Sequence, residues 1–158
     1  MAHTIPLKTD NFNSMNLFFD TSALVKLFSD ETGSETVKEL VTDPANHIYA
    51  LDLALIELQS AVYRKYRNNQ IHEENLEKIQ NAIEKQMTYF NLIPIGSDIM
   101  KEAFELIKKF GKTSGLRTLD ALHVAGWRII AELDWTFVSS DKNQLNVVTQ
   151  LNHKSIDV

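Results

Sequence analysis

Asn16-Leu17-Phe18-Phe19-Asp20-Thr21-Ser22-Ala23-Leu24 is the stretch that decides the fold. Three large apolar residues in succession, Leu17 to Phe19, read as a strand buried on both faces. The run stops at a carboxylate followed by two hydroxyls, and Ala23 to Phe28 resumes with helix-compatible spacing. The chain therefore turns from strand to helix at Asp20. In open α/β sheets, ligands gather beyond the carboxyl ends of the strands, so this turn lies where chemistry collects. Taken alone, Asp20 or Ser22 reads more simply as a helix cap. Other carboxylates in matching settings are what shift the balance.

Downstream, the same grammar repeats. Thr32-Gly33-Ser34-Glu35 has the form of a capping box, opening a helix that Asp43-Pro44 ends. His47 to Ala50 is a short strand. Asp52 is expected to cap a helix running to about Arg67, with Leu51, Leu55, Leu58 and Val62 as its core stripe. Ile71 to Tyr89 reads as a long helix with Leu76, Ile79, Ile83 and Met87 inward. Leu92 to Ile95 is a strand whose Pro94 marks an edge or an end. Ser97 is expected to cap the next helix, Gly111 to Gly115 to form a loop, and Thr118 to cap the helix through Trp127. Trp135 to Ser139 is a second buried strand, ending as the first did: Ser139-Ser140-Asp141. A short helix through Leu145 and a last strand near Ile156 follow. Strands alternating with helices predict a parallel sheet covered on both faces.

The 158 residues suit one domain with a sizeable core. Residues 15–158 are expected to form it, with 1–14 a mobile N-terminal extension that lacks the apolar core of a signal peptide. The absence of cysteine excludes disulfides and thiolate metal sites and fits the cytoplasm. No stretch is long and apolar enough to span a bilayer. The formal net charge of −5 makes a poor general binder of nucleic acid, because affinity for phosphate backbones rests on Lys and Arg. A nucleic-acid role would need a local basic patch or bound cations. Lys26, Arg64, Lys65, Arg67, Arg117 and Lys142 are the basic residues available near the acids.

Two further acids join Asp20 and Asp141. Glu57 sits beside a helix stripe with no Lys or Arg three or four residues away, and its same-face neighbours Ala54, Ser60 and Ala61 are small. Asp120 falls in the first turn of its helix, where a carboxylate also suits the helix dipole. A parallel sheet brings Asp20 and Asp141 to one edge. Carboxylates packed together raise each other's pKa, a cost that a hard divalent cation removes; magnesium takes oxygen ligands and few carboxylates. Such a centre activates water and neutralises a phosphodiester. The histidines show no paired zinc spacing, and His123, inside an apolar helix, reads as a packed core residue. There is no P-loop and no glycine-rich dinucleotide fingerprint.

Phe19-Asp20-Thr21-Ser22-Ala23-Leu24-Val25-Lys26, Ile56-Glu57-Leu58-Gln59-Ser60-Ala61, Leu119-Asp120-Ala121-Leu122-His123-Val124-Ala125 and Val138-Ser139-Ser140-Asp141-Lys142 together resemble the four acidic motifs of PIN domains, in order and at fitting separations. The subgroup they resemble is the VapC-type toxins of bacterial toxin–antitoxin pairs. The resemblance implies a three-layer α/β/α sandwich with a central parallel sheet of four to five strands. It implies metal-dependent endoribonuclease activity, with Asp20, Glu57, Asp120 and Asp141 as the catalytic acids around one or two magnesium or manganese ions. Asp20 and Asp120 would be the principal ligands, with Thr21, Ser22 and Ser139 orienting water or substrate; Ser139 stands where threonine is frequent. It also implies a homodimer and a small antitoxin that directs a basic side chain at the acids, contacts for which the helices at 32–41 and 71–89 are available. Two other readings compete. A phosphatase with an aspartate nucleophile would want a second acid at the position of Ser22. A catalytically silent PIN-like module would bind RNA or protein alone.

Overall fold

The structure is a computed structural model and describes residues 14–158. The extension expected over 1–14 lies, but for Ser14, outside the described residues. Five strands, β1 (Asn16–Phe19), β2 (His47–Leu51), β3 (Asn91–Ile93), β4 (Thr136–Ser139) and β5 (Lys154–Asp157), form one sheet in the order β3-β2-β1-β4-β5. Every adjacent pair is parallel. The helices are α1 (Thr21–Leu24, continued by a 3-10 turn over Val25–Phe28), α2 (Ser34–Thr42), α3 (Leu53–Arg67), α4 (Glu73–Met87), α5 (Ser97–Ser114), α6 (Thr118–Ile130) and α7 (Lys142–Gln150).

Strand geometry sends alternate side chains to opposite faces, and the sheet builds a separate core on each. Leu17, Phe19, Ile48, Ala50 and Val138 point to one face, where α1 to α4 add Leu24, Val37, Leu58, Ile83 and Met87. Phe18, Leu51 and Phe137 point to the other, where α5, α6 and α7 add Leu106, Phe110, Trp127 and Val148. This is the three-layer α/β/α sandwich expected. The apolar run Leu17-Phe18-Phe19, with no exposure at all, is continuous because both of its faces are covered. Pro94 follows the edge strand β3, where a missing N–H is tolerated.

Several boundaries differ from expectation. The capping box at Thr32 does not form: Gly33 caps α2 at φ +91°, and a Cβ there would stand 2.5 Å from the Val158 carbonyl carbon. Thr32 instead offers its carbonyl to the buried Lys26 Nζ. Asp52 precedes α3 but makes no side-chain cap. Leu51 belongs to β2, and the buried positions of α3 are Ala54, Leu58, Ala61 and Val62. Gly96 and Arg117 take the extended cap positions expected of Ser97 and Thr118, each one residue earlier. The loop expected from Gly111 is helical to Ser114, because Phe110 and Ser114 are buried one turn apart. Gln150 and Asn146 of α7 donate to the Ser114 hydroxyl, and Gly115 closes the helix in the left-handed region.

Candidate active site

The strand order reverses direction at β1 and β4: the chain leaves β1 toward β2 and leaves β4 toward β5. Crossovers diverge there and open a crevice at the carboxyl ends of these two strands. Asp20 follows β1 directly and Asp141 follows β4. A cavity of about 540 Å³ occupies the crevice, and Asp20, Glu57, Asp120 and Asp141 all line it.

Each acid is held differently. Asp20 is 1 % exposed and caps α1; its Oδ1 accepts from Ser22 Oγ at 2.8 Å and from the Ala23 amide at 3.1 Å. Burial pushes its carboxyl above the ordinary aspartate value, against the opposing pull of His123, Ser22 and the Ala23 amide. Its Oδ2 accepts from Gln144 Nε2 at 3.0 Å, and the same nitrogen lies 3.3 Å from Asp120 Oδ1. Asp120 Oδ2 accepts from Arg117 Nε at 2.8 Å and reaches back to the Arg117 amide at 3.4 Å, an acid of the first turn bonded to the N-cap amide. Arg117 extends on to Asp141 Oδ2 at 3.3 Å while remaining 71 % exposed. Asp141 also caps α7 through Oδ1, which accepts from the Asn143 and Gln144 amides.

Glu57 projects from α3 and takes bonds from two elements. Its Oε2 accepts from Thr21 Oγ1 and stands 2.6 Å from His123 Nε2. Burial raises its pKa, but the His123 hydrogen bond and charge and the Thr21 hydroxyl outweigh this, so the carboxyl lies below the ordinary glutamate value. His123 is buried, as read from the sequence, yet its ring edge faces the cavity.

The hydroxyls divide. Thr21 and Ser22 line the cavity; Ser139 is wholly buried and does not. Ser22 Oγ accepts from the Ser140 amide at 3.0 Å, and Ser139 Oγ accepts from the Asp141 amide at 2.9 Å. With Ser22 and Ser139 3.3 Å apart, these hydroxyls tie the β1–α1 turn to the β4–α7 turn and fix the two acids on one rim. Among the basic residues, Arg64 and Arg117 line the cavity. Lys26 is buried, Lys65 lies 3.9 Å from Glu31, and Lys142 pairs with Asp157.

A hard cation fits this donor set at one point. Asp20 Oδ2 and Asp120 Oδ1 are carboxylate oxygens that converge on a single amide nitrogen, with the Arg117 Nη2 a longer 3.4 Å from Asp120 Oδ1. Among the described residues no three Asp, Glu or His side chains form a ready ligand group. An ion at that point would be held by the two aspartates, in keeping with magnesium's preference for few carboxylates and several waters. Sequence reading missed Gln144 and the His123–Glu57 contact; neither residue lies in a spacing pattern that marks it.

The model of the PIN domain family matches residues 17–148. The chain belongs to the PIN domain family. Among solved structures it is similar to FitAcB from Neisseria gonorrhoeae, with a TM-score of 0.65 and 13% identity, covering 89% of this chain and 96% of that one. It is similar to the VapC20 toxin of Mycobacterium tuberculosis, which cleaves the sarcin–ricin loop, with a TM-score of 0.62 and 16% identity over 82% of this chain and 93% of that one. VapBC2 from Rickettsia felis, bound to a DNA fragment from its promoter, aligns with a TM-score of 0.61 at 15% identity, covering 91% and 99%. At these identities the likeness is one of fold. No curated protein sequence matches the chain.

Proposed function

We propose that this PIN domain is a metal-dependent endoribonuclease that hydrolyses RNA phosphodiester bonds, and that it is the toxin of a type II toxin–antitoxin pair. The observation that carries the reading is the convergence of Asp20 Oδ2 and Asp120 Oδ1 in an open crevice whose wall also holds Arg64 and Arg117. Asp20 and Asp120 would hold magnesium or manganese, with Glu57 and Asp141 completing the acidic wall. When bound, such an ion would supply an activated water and charge neutralisation at the phosphate. Glu57, kept ionised by His123 and Thr21, would serve as proton acceptor on the crevice wall. Arg64 and Arg117 draw the phosphate backbone to the crevice against the net negative charge of the chain.

The antitoxin partner is supported by solved toxin–antitoxin complexes of the same fold, such as that from Klebsiella pneumoniae (TM-score 0.53, 19% identity, covering 82% of this chain and 89% of that one). A homodimer and a cytoplasmic location belong to the same reading. No helix among the described residues is long and apolar enough to cross a membrane. The exposed large apolar side chains for partner contacts lie chiefly on α3, α5 and α6, with Ile56, Met100, Phe104 and Ile129 among them. The apolar faces of α2 and α4 are used within the fold.

The test is incubation of the purified chain with structured RNA in magnesium, in manganese and in chelator, repeated with Asp20→Asn. Fragments are expected with metal and the unmodified chain alone. Cleavage in chelator, or equal cleavage by the variant, overturns the reading; retention of RNA without cleavage identifies a silent binding module.

A further inference from the structure

Gln144 is the third residue of α7, and nothing in its sequence neighbourhood marks it. The structure buries it to 2 % exposure at the floor of the crevice. Its Nε2 donates to both Asp20 Oδ2 and Asp120 Oδ1. Its Oε1 is equally buried and has no hydrogen-bond partner among the described residues. A buried acceptor left unmatched is costly, so the residue is half satisfied as it stands.

The remaining oxygens of the two acids are committed. Asp20 Oδ1 holds Ser22 and the Ala23 amide, and Asp120 Oδ2 holds Arg117 Nε at 2.8 Å, while Asp120 Oδ1 takes a longer 3.4 Å contact from Arg117 Nη2. A cation shared by the pair must therefore use the two oxygens that now face the Gln144 NH2. Magnesium–oxygen distances are short, about 2.1 Å, and an amide NH2 presents positive charge, so that group cannot remain in front of the carboxylates. The amide oxygen can take its place by a half-turn about the terminal torsion, which is broad and two-fold. Oε1 has no existing bond to lose in that turn.

We propose that Gln144 is a neutral oxygen ligand of the cation held by Asp20 and Asp120. With the cation absent, its amide faces the other way and keeps the two carboxylates in register. This assignment rests on the crevice being a metal site. It adds to the acids a ligand without charge, and so leaves the site more receptive to the negative phosphate than a further carboxylate would.

The experiment is titration of the full chain with Mn2+, followed by electron paramagnetic resonance for free ion and by water-proton relaxation for waters on the bound ion. Two variants are compared. Gln144→Met keeps the length and removes both polar atoms; Gln144→Asn keeps an amide but withdraws it by one methylene. Circular dichroism and melting in chelator establish that each is folded, and the polar Asn variant serves if Met does not fold. Each variant is expected to bind Mn2+ about tenfold more weakly or worse, the scale of a lost metal-site contact, and to gain one water on the bound ion. A residue that merely props the carboxylates apart gives the opposite result, because removing the NH2 removes a competitor. Unchanged or tighter binding with an unchanged water count therefore overturns the proposal and leaves the metal site standing. Failure of the unmodified chain to bind Mn2+ overturns both.

Discussion

At the scale of single residues, the site holds a charge that the fold would be more stable without. Asp20 carries it, since burial raises its pKa. A carboxyl raised in the folded state contributes stability that is fully present below the unfolded value, about 3.9 for aspartate, and is lost as pH rises through the folded value. Asp20→Asn removes that loss. Its Oδ1 still accepts from Ser22 and the Ala23 amide. In chelator at pH 7 the variant is expected to melt higher than the unmodified chain, by roughly 2–4 °C for each kcal/mol gained. The two curves should meet as pH falls toward 4. A lower melting temperature for the variant at neutral pH would contradict the assignment. The four acids were legible in the sequence because each stands beside a strand end or within a helix whose pattern is strong. Gln144 was not, because its importance comes from a contact with Asp20, which is 124 positions away. His123 was read correctly as buried, but a helical pattern cannot say that one ring nitrogen finds Glu57 across the layer.

At the scale of elements, packing overrode the local capping signals. Ser97 and Thr118 have the right chemistry for an N-cap, yet Gly96 and Arg117 hold the extended backbone before α5 and α6. The glycine at 111 did not end α5, because α7 anchors the last turn. The contact that seats α6 on the sheet depends on a different glycine. A Cβ at Gly126 would fall 2.4 Å from Leu51 Cδ2, and Leu51 is fully buried. Gly126→Ala is therefore expected to destabilise the chain by about 1–3 kcal/mol in urea unfolding, the usual range for overpacking. Adding Leu51→Val should recover part of the loss, giving a coupling of at least about 0.5 kcal/mol. Strict additivity of the two changes would show that α6 and β2 do not meet as described. Asp120 opens α6, so a shift of that helix is also a shift of the site.

For the whole molecule, the element types were readable but their order in space was not. Alternating strands and helices foretold a parallel sheet, and terminal acids on two strands foretold a shared rim. That β1 and β4 are neighbours follows from register pairs such as Phe18 with Phe137, which no local pattern specifies. The same assembly decides which cations face the crevice. Of the basic residues near the acids, Arg64 and Arg117 line it, so attraction to a polyanion is modest. The apparent affinity of the Asp20→Asn chain for single-stranded RNA is expected to fall with monovalent salt at a log–log slope of roughly −1.4, two phosphate contacts at about 0.7 each. A slope several times steeper, measured by filter binding, would mean that RNA lies along a different and broader basic surface.

The crevice also draws on residues from Asp20 to Gln144, with the β1–α1 and β4–α7 turns laced together by Ser22 and Ser139. Synthesis must therefore pass Gln144 before Asp20 meets its partner across the crevice. A nascent chain that stops before the β4–α7 turn carries Asp20, Glu57 and Asp120 but lacks the ties that set their rim.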